Sequence, residues 1–455
     1  MMRIRSGKDA ECHGGHSLPV RGQTHLVRKE HMMNDERISR RKMIGQMGLV
    51  AAGTAIGCAA SGEAESAPVI RSHALNVIDF GAKGDEKADD TKPIQAAINA
   101  ALKAGGGSVY IPAGRYRVTK SLTFTSSPRM DIIGDGYSST ILHENDEPAF
   151  LWKEGVSCVE SSVRDLCISS VKNDKSPGTP AIACMGGTER SFFSHLLLNG
   201  GGARMGSGIV VENVMDTTTL DHCLIWGISG TGVKVARGSE VRIFGARIVG
   251  GTNPYDSIGA GSIGVHLVGN NGGVHIVTTD IISLNTGLMI GSKGGPSNRE
   301  VVITHATFDS SIHGIWQIDN AYTSIAGCWA ASSDEDQILL DESAYGALLS
   351  VSGGTIFNGG AYGRGGAHNG IVVRAGTFML TGVSVRHNKG TGILVGDKVS
   401  GYAITGCKIH NNGTGASLAG DGFAVTGNVF AGNGINLIDK GGPSKQVTGN
   451  VIPAG

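Results

Sequence analysis

A loose repeat of short apolar strands and small polar turns runs from residue 163 almost to the end of the chain. Repeats of roughly 20–50 residues are typical of solenoids, in which each unit buries its apolar face only by stacking on its neighbours. The repeated segments, 21 to 34 residues apart, begin at Val163, Phe193, Leu220, Phe244, Thr278, Thr304, Ala326, Ser352, Thr381, Thr405, Thr426 and Thr448. Many units add a second strand after a glycine, as in TGVKV and HGIWQI, and none shows a helical period. We therefore predict an all-β parallel β-helix with a long sheet face.

The composition is consistent with a single solenoid domain. The chain has 72 glycines in 455 residues, about twice the usual ~7%, and glycine supplies the positive φ angles that turns require. Solenoids grow in one dimension, so the length does not force a division into several domains. The formal net charge is zero and basic residues do not cluster after residue 42. The sequence therefore predicts no nucleic-acid partner.

The N-terminal segment has the features of an export signal. Residues 39–44, SRRKMI, resemble a twin-arginine signal, and a modestly apolar stretch follows them. The next segment, Ala-Ile-Gly before Cys58, resembles a lipobox, which predicts lipidation of Cys58 and a membrane tether. The alternative is an ordinary signal peptide that is cut elsewhere within residues 51–67.

These features divide the chain into four parts. Because Met32 and Met33 stand just before the arginine pair, residues 1–31 are interpreted as lying upstream of the true start. Residues 32–58 are the predicted signal, residues 59–75 a linker, and residues 76–455 a single β-helix domain. We expect an exported protein, either periplasmic or at the cell surface.

The six cysteines after the leader are scattered through the repeat. No two of them have the spacing of metal ligands. Proteins exported by the twin-arginine pathway fold before export, which argues against a disulfide framework. The sequence therefore predicts no metal site, and it places cysteines such as Cys328 and Cys407 inside the stack.

A family resemblance lies in residues 76–142. Residues 76–85 read NVIDFGAKGD, residues 105–116 read GGGSVYIPAGRY, and residues 131–142 read DIIGDGYSSTIL. This pattern resembles the N-terminal module of the pectate-lyase superfamily of right-handed β-helix proteins, with its rhamnogalacturonase-like and epimerase-like members. The resemblance implies a right-handed fold. It leaves the activity open, since the superfamily includes hydrolases, lyases, epimerases and phage tailspikes.

Within that module, residues 91–104 are predicted to form an amphipathic helix. Ile94, Ala97 and Ile98 begin an i, i+3, i+4 pattern on one face. A single helix ahead of a solenoid can shield the first rung and its unpaired strand edge. The Asp89-Asp90 pair is accordingly interpreted as a cap and turn, not as a catalytic dyad.

The candidate catalytic residues directly precede short strands of two successive repeats. Polygalacturonases place paired acids, a Gly-His-Gly and an Arg-x-Lys on successive rungs, and this chain has none of those motifs intact. His313 precedes GIWQI, and the turn Ser333-Asp334-Glu335-Asp336 precedes QILL on the next rung. Since rungs lie about 4.8 Å apart, we expect His313 to approach Asp334 or Asp336. An Asp-Glu-Asp turn can also hold Ca²⁺, and the alternative is a solvated acidic turn.

The candidate substrate-binding residues lie along the same strands. Strand alternation places one outward side chain in each repeat, and the predicted column is Lys234, His266, Met289, Trp316, Leu339, Val372, Leu394, Ser417 and Asn436. Trp316 suits a sugar-stacking platform, whereas Lys234, His266 and Arg374 suit an acidic glycan. Asn285 and His368 precede strands of the same type.

These observations favour an exported polysaccharide-active protein. One hypothesis is a glycan-cleaving enzyme, either a polygalacturonase-like hydrolase or a pectate-lyase-like lyase. The other is a carbohydrate-binding or structural cell-surface solenoid without catalysis. The missing polygalacturonase motifs favour the second hypothesis, and the grouping of His313, Asp336 and Trp316 favours the first.

Overall fold

The computed structural model describes residues 74–453 except 172–178, 200–204, 252–257 and 259–260. The chain winds as a right-handed parallel β-helix in which a typical coil holds three strands, such as Glu300–Thr304, Thr307–Asp309 and His313–Gln317. Each strand pairs in parallel with its equivalent in the next coil. We call the three resulting sheets the first, second and third sheet. The fold prediction is confirmed, and the predicted signal with Cys58 lies outside the described residues.

The strands are as follows. The first sheet comprises Leu75–Asn76, Gly107–Ile111, Met130–Gly134, Ser162–Ser170, Ser191–Asn199, Thr218–Asp221, Ser239–Phe244, Gly272–Val277, Glu300–Thr304, Tyr322–Ala326, Leu348–Ser352, Thr377–Thr381, Ala403–Thr405, Phe423–Thr426 and Lys445–Thr448. The second comprises Asp85–Asp89, Gly114–Val118, Ser139–His143, Leu224–Trp226, Arg247–Val249, Asp280–Ile282, Thr307–Asp309, Trp329–Ala331, Thr355–Phe357, Ser384–Arg386, Lys408–His410 and Val429–Ala431, and it shares the bent strands Ser162–Ser170 and Ser191–Asn199 with the first.

The third sheet comprises Leu122–Phe124, Phe150–Trp152, Pro180–Cys184, Ser207–Glu212, Thr231–Ala236, Ile263–Leu267, Thr286–Ile290, His313–Gln317, Asp336–Leu340, Asn369–Val373, Thr391–Val395, Thr414–Leu418 and Ile435–Asp439. A separate two-stranded pair joins Cys158–Val159 to Thr188–Glu189. The α-helix α1 spans Thr91–Lys103, and short 3₁₀ helices span Val77–Phe80 and Gly136–Ser138. None of the helices described is long and apolar enough to cross a membrane.

The core is a stack of identical or similar side chains. Ile276, Ile303 and Ile325 lie opposite one another in successive coils of the first sheet, and all three are buried. Burying each such side chain contributes roughly 1.5–3 kcal/mol to folding. Stacking therefore supplies the stability that no single coil could generate alone. The six cysteines of the described residues are buried and free, including Cys328 and Cys407.

The sequence repeat marks the corner between the first and second sheets. In every described coil from residue 162 onward, one corner residue has a positive φ. These residues are Asp165, His195, His222, Gly245, Thr278, His305, Gly327, Gly353, Gly382, Gly406, Gly427 and Gly449. Glycine adopts this conformation without a side-chain penalty, and Asp and His are among the few other residues that tolerate it. Each predicted repeat start lies at this corner or within two residues before it.

The helix α1 takes the place of the third-sheet strand in the first coil. Its buried residues Ile94, Ala97 and Ile98 face the stack. The Gln95 side chain exchanges two hydrogen bonds with the backbone of Thr123, at 2.7 and 2.9 Å. Gln95 therefore supplies the hydrogen bonds that a neighbouring strand would give, which protects the sheet edge as the sequence predicted.

The Asp89-Asp90 pair has a structural role. Asp89 Oδ1 accepts the backbone N–H of Thr91, the first residue of α1, at 3.1 Å. Asp90 accepts the N–H groups of Lys83 and Gly84 at 2.7 and 3.0 Å. Both carboxylates are occupied by the turn that leads into the helix, so this pair is a cap and turn.

Candidate functional site

The outward column of the third sheet follows the predicted register over most of its length. Lys234 pairs with His266, His266 with Met289, and Met289 with Trp316 in successive coils. The column continues through Leu339, Val372, Leu394 and Ser417. The last predicted member, Asn436, is wrong, because Ser417 pairs with Ile438. A two-residue shift in the terminal coil moves Asn436 out of the column.

Two adjacent cavities lie along this column. The larger, about 830 Å³, is lined by His266, Met289, Ser292, Lys293, Trp316, Ile318, Asp341, Glu342, Ser343 and Lys398. The second, about 470 Å³, includes Lys234, His266 and Glu212 in its lining. Since His266 lines both, the cavities form a groove that runs along the sheet from Lys234 to Trp316. We call this surface the third-sheet groove.

Trp316 is held in one orientation at the end of the third-sheet groove. Its indole Nε1 donates to Asp341 Oδ2 at 3.2 Å, and its ring centroid lies 4.9 Å from that of His313. Beyond Trp316 the column becomes apolar and closed, because Leu339 and Val372 face away from the core and are still only 2% exposed. On the column itself, Trp316 is therefore the last residue that lines the groove, although turn residues of later coils also border the larger cavity.

His313 and Asp336 come together at the beginning of neighbouring third-sheet strands. Ile315 pairs with Ile338, which places His313 opposite Asp336, and His313 Nδ1 lies 3.9 Å from Asp336 Oδ2. The other carboxylate oxygen of Asp336 accepts Asn369 Nδ2 at 3.0 Å. The expected approach of the two residues is confirmed. Since Nδ1 faces Asp336, Nε2 remains as the ring nitrogen of His313 that can meet a ligand.

Burial controls the ionisation of this pair. The His313 side chain is 16% exposed and the Asp336 side chain 4% exposed, so Asp336 is not part of the solvated acidic turn that was the alternative. Burial lowers the pKa of His313, while the nearby carboxylates of Asp336 and Glu335 act in the opposite direction. Burial likewise raises the pKa of Asp336, against the hydrogen bond from Asn369. The lowered pKa favours a neutral imidazole at neutral pH, the form that a base requires.

Asp334 lies apart from the third-sheet groove. Its carboxylate is fully buried, and Arg364 Nε lies 2.6 Å from Oδ2. Burial raises the pKa of Asp334, whereas the charges of Arg364 and His368 lower it. The alternative in which Asp334 approaches His313 is therefore not realised, because the 358–368 segment covers this carboxylate.

The remaining predicted residues divide between two places. Arg374 is exposed, and its charge acts on both His313 and Asp336 by lowering their pKa values. His368 belongs with Asp334, and its Nδ1 is buried without a hydrogen-bond partner. The backbone carbonyl of Asn285 accepts the N–H of His313 at 3.0 Å, so this contact of Asn285 is a backbone one.

His266 and Lys234 both contribute to the wall of the third-sheet groove. His266 Nε2 lies 3.1 Å from the carbonyl oxygen of Gly291, and burial lowers the pKa of His266. Lys234 Nζ lies 3.8 Å from a carboxylate oxygen of Glu212. Lys234 is therefore partly neutralised, and His266 favours its neutral form.

The Asp-Glu-Asp turn does not gather its carboxylates for Ca²⁺. Asp334 faces Arg364, Glu335 Oε2 accepts the N–H of Ala367 at 3.1 Å, and Asp336 faces Asn369 and His313. Calcium requires six to eight converging oxygen ligands. The three side chains diverge, so this arrangement does not fit a Ca²⁺ ion.

Sequence reasoning missed five charged residues of the third-sheet groove: Lys293, Asp341, Glu342 and Lys398 in the larger cavity and Glu212 in the second. Lys293 and Lys398 line the larger cavity, and each stands three residues after the last residue of a third-sheet strand. The signal was present as the related runs I-G-S-K and V-G-D-K at residues 290–293 and 395–398. Asp341 was missed because its role depends on the indole of Trp316 on the neighbouring coil.

Two family models match the chain. Residues 74–240 match the model described as rhamnogalacturonase A/epimerase, pectate lyase-like. Residues 264–448 match the model of the periplasmic copper-binding protein NosD. The first match confirms the resemblance drawn from residues 76–142.

Individual relatives are similar over short segments. Alginate lyase 7 of Azotobacter vinelandii is 73% identical over 44 residues, which are 10% of this chain and 5% of that protein. Mannuronan C5-epimerase AlgE2 of the same organism is 49% identical over 72 residues, 15% of this chain and 7% of that protein. Among solved structures, the gene product 12 N-terminal fragment of bacteriophage Phi29 gives a TM-score of 0.54 at 13% identity. That match covers 79% of this chain and 71% of the other, and it shows the fold alone.

Proposed function

We propose that this protein, whose residues 74–240 match a pectate lyase-like family model, acts on an acidic polysaccharide bound along the third-sheet groove. His313 is the proposed base, and Asp336 positions it. The observation that supports this proposal best is the His313 Nδ1 to Asp336 Oδ2 distance of 3.9 Å beside the Trp316 ring. It brings together an imidazole whose pKa is lowered by burial, a carboxylate beside its Nδ1 at a distance longer than a hydrogen bond and a platform for a sugar ring.

The arrangement favours proton abstraction over hydrolysis. Glycoside hydrolysis uses two carboxyl groups that flank the bond, about 5–9 Å apart. Of the three acids in the turn before this strand, Asp336 faces His313, whereas Asp334 is paired with Arg364 and Glu335 accepts the N–H of Ala367. A uronate ring instead needs a base beside C5 and a cation that stabilises the charge developing on its carboxylate. His313 is the candidate for the first role and Arg374 for the second.

Loss of the C5 proton can lead to two products. Expulsion of the oxygen at C4, which takes up a proton from water, gives an unsaturated sugar, which is lyase chemistry. Reprotonation of C5 from water on the opposite face gives the C5 epimer. Lys293 and Lys398 on the larger cavity can contact the carboxylates of a polyanion, although Asp341 and Glu342 in the same lining balance their charge. The similarity of short segments to an alginate lyase and a mannuronan C5-epimerase supports uronate polymers as the substrate class.

A panel of polymannuronate, alginate and polygalacturonate tests this proposal. A lyase raises ultraviolet absorbance, an epimerase changes the uronate composition without chain cleavage, and a hydrolase raises reducing ends alone. Each assay is run with Ca²⁺ and with a chelator, because the cation requirement is open. We expect one of the first two outcomes, and His313→Ala should abolish it while His305→Ala, on another face, leaves it unchanged.

The second candidate function is carbohydrate binding without catalysis. The hydrogen bond from Trp316 to Asp341 favours it, since a fixed aromatic platform suits binding whether or not a reaction follows. Binding alone predicts that none of the three polymers changes, that His313→Ala retains affinity and that Trp316→Ala loses it. The panel and a binding isotherm therefore separate the two candidates.

We also propose that the protein is exported to the periplasm or the cell surface. The twin arginines within residues 39–44 and the match of residues 264–448 to a periplasmic protein model support this location. Replacing both Arg40 and Arg41 with Lys should stop translocation, because a receptor reads the pair. Cys58→Ala should release mature protein from the membrane fraction, and retention there would contradict the lipid anchor.

A further inference from the structure

A cluster of histidine and aspartate side chains lies on the corner between the first and second sheets, away from the third-sheet groove. His195, Asp221 and His222 each offer one ligand atom, and these three atoms lie within 4.8 Å of one another. The residues come from two successive coils, since Ser191–Asn199 pairs with Thr218–Asp221. Among the described residues this is the only such group of three or more His, Cys, Asp or Glu side chains.

The backbone at this corner brings the side chains together. His195 and His222 both occupy the positive-φ corner position, with φ of 50° and 49°, and their ring centroids lie 5.8 Å apart. Later coils fill the same position mainly with glycine, which leaves no side chain there. The two histidines therefore stack in consecutive coils because both take a corner position that only a few residue types tolerate.

Asp165 on the preceding coil adds an independent feature of metal sites. Its Oδ1 lies 3.3 Å from His195 Nδ1, and its Oδ2 is occupied by Arg164 at 2.8 Å. A histidine that binds a metal usually donates its second ring N–H to a carboxylate, which fixes the ring and its tautomer. Asp165 is placed for that function, and the contact leaves Nε2 of His195 for a metal.

The donor set indicates the class of ion. Two imidazoles and one carboxylate are ligands that Zn²⁺ and other divalent transition metals prefer, whereas Ca²⁺ prefers oxygen ligands alone. Ligands of a tetrahedral Zn²⁺ at about 2.0–2.1 Å stand roughly 3.3 Å apart. Asp221 Oδ1 and His222 Nδ1 already lie 2.7 Å apart and the His195 side chain is 58% exposed, so an ion would replace the contact between Asp221 and His222 while His195 turns towards it.

We propose that His195, Asp221 and His222 bind one divalent transition-metal ion such as Zn²⁺, with Asp165 as the positioning partner of His195. The ion would join two successive coils and, through Asp165, a third. It therefore stabilises this part of the solenoid, because a ligand that binds only the folded state favours that state. These residues lie outside the third-sheet groove, so the site is independent of the proposed polysaccharide activity. They also lie outside residues 264–448, the segment that matches the model of the periplasmic copper-binding protein.

Titration of the metal-free protein with Zn²⁺ tests the proposal. A chromophoric chelator reports the affinity and stoichiometry, and the melting temperature is recorded with and without Zn²⁺. We expect one Zn²⁺ per chain and a higher melting temperature with the ion. His195→Ala and His222→Ala should each weaken binding at least tenfold, and Asp165→Asn should weaken it by about 10–100-fold.

His305→Ala is the matched control. His305 occupies the same corner position two coils beyond Gly245, with φ of 52°, and it lies outside the cluster. This variant should keep the wild-type Zn²⁺ affinity and the wild-type thermal shift. The proposal is overturned if His195→Ala and His222→Ala bind Zn²⁺ as tightly as the wild type. Equal weakening by His305→Ala, or equal competition by Ca²⁺, also overturns it, because either would indicate nonspecific binding.

Discussion

The third sheet presents two different surfaces on the same outward column. From Lys234 to Trp316 the column consists of Lys234, His266, Met289 and Trp316 and borders open cavities. From Leu339 to Val372 it is apolar and buried, although these side chains also point away from the core. Strand alternation sets only the direction of a side chain. What covers that direction differs from coil to coil. His313 and Asp336 lie beside Trp316, outside the residues that line the two cavities.

The largest expected effect is at His313. His313→Ala removes the proposed base and should lower turnover of a uronate polymer by about 10²–10⁴-fold. The residue is partly buried but lies outside the apolar stack, so we expect little change in the melting temperature. Initial rates of wild type and variant on the polymer that the panel identifies would measure this. His305→Ala provides the control, and an unchanged rate in His313→Ala would remove His313 from the mechanism.

The contrast between the two surfaces predicts that replacing a column residue with alanine lowers the free energy of unfolding more on the buried part than on the open part. Leu339→Ala opens a cavity at a buried position and should cost about 2–5 kcal/mol of unfolding free energy. Met289→Ala, on the open surface, should cost less than about 1 kcal/mol. Chemical denaturation of both variants measures the difference. Equal costs would show that the surface does not change at Trp316.

Trp316→Ala should weaken binding more than it slows chemistry. Loss of the stacking platform removes about 0.5–1.5 kcal/mol, which corresponds to roughly a two- to twelvefold rise in KM. Stacking acts on the ground state and the transition state alike, so kcat should change little. Trp329→Ala, which removes an exposed tryptophan from the second sheet, should leave both constants unchanged. A fall in kcat with constant KM would contradict a binding role for Trp316.

The smallest effect concerns pH and stability at Asp336. Because burial raises the folded-state pKa of Asp336, its contribution to stability is fully present below its unfolded-state pKa. That contribution is lost as the pH rises through the folded-state value. Asp336→Asn removes the buried charge and can still accept the hydrogen bond from Asn369. The variant should therefore gain stability relative to the wild type as the pH rises from about 4 to 8.

Melting curves across that pH range compare the wild type with Asp336→Asn and with Asp397→Asn, which changes an exposed carboxylate. The difference between wild type and Asp336→Asn should grow with pH, whereas Asp397→Asn should show no such trend. A constant difference across the range would mean that the ionisation of Asp336 does not affect folding.

Much of the fold could be predicted from the sequence because the repeat is tied to the backbone. The corner residues need a positive φ. The second residue of most third-sheet strands is a glycine because a Cβ atom there would collide with the neighbouring coil. At Gly314, for example, a Cβ would collide with the carbonyl oxygen of Gln337. Such constraints act on every coil, so they leave a periodic signal that shows the strands and their register.

The candidate site was only partly predictable because it depends on what covers each side chain. The approach of His313 to Asp336 follows from the register of neighbouring strands. The burial of Asp334 depends instead on Arg364, which lies in the segment 358–368 between the second and third sheets. The contact between His195 and His222 was missed. The 27 residues between them were interpreted only as the length of one repeat, although one repeat along the chain places two side chains side by side on neighbouring coils.

Following the C5 proton of a polyuronate by NMR in D₂O tests the central claim most directly. Removal of that proton by His313 predicts loss of the C5–H signal with the wild-type protein, whether the product is an unsaturated sugar or the epimer. His313→Ala should leave the signal at full intensity. If the signal persists with the wild type on every polymer of the panel, no C5 proton is removed and the proposed proton abstraction by His313 is wrong.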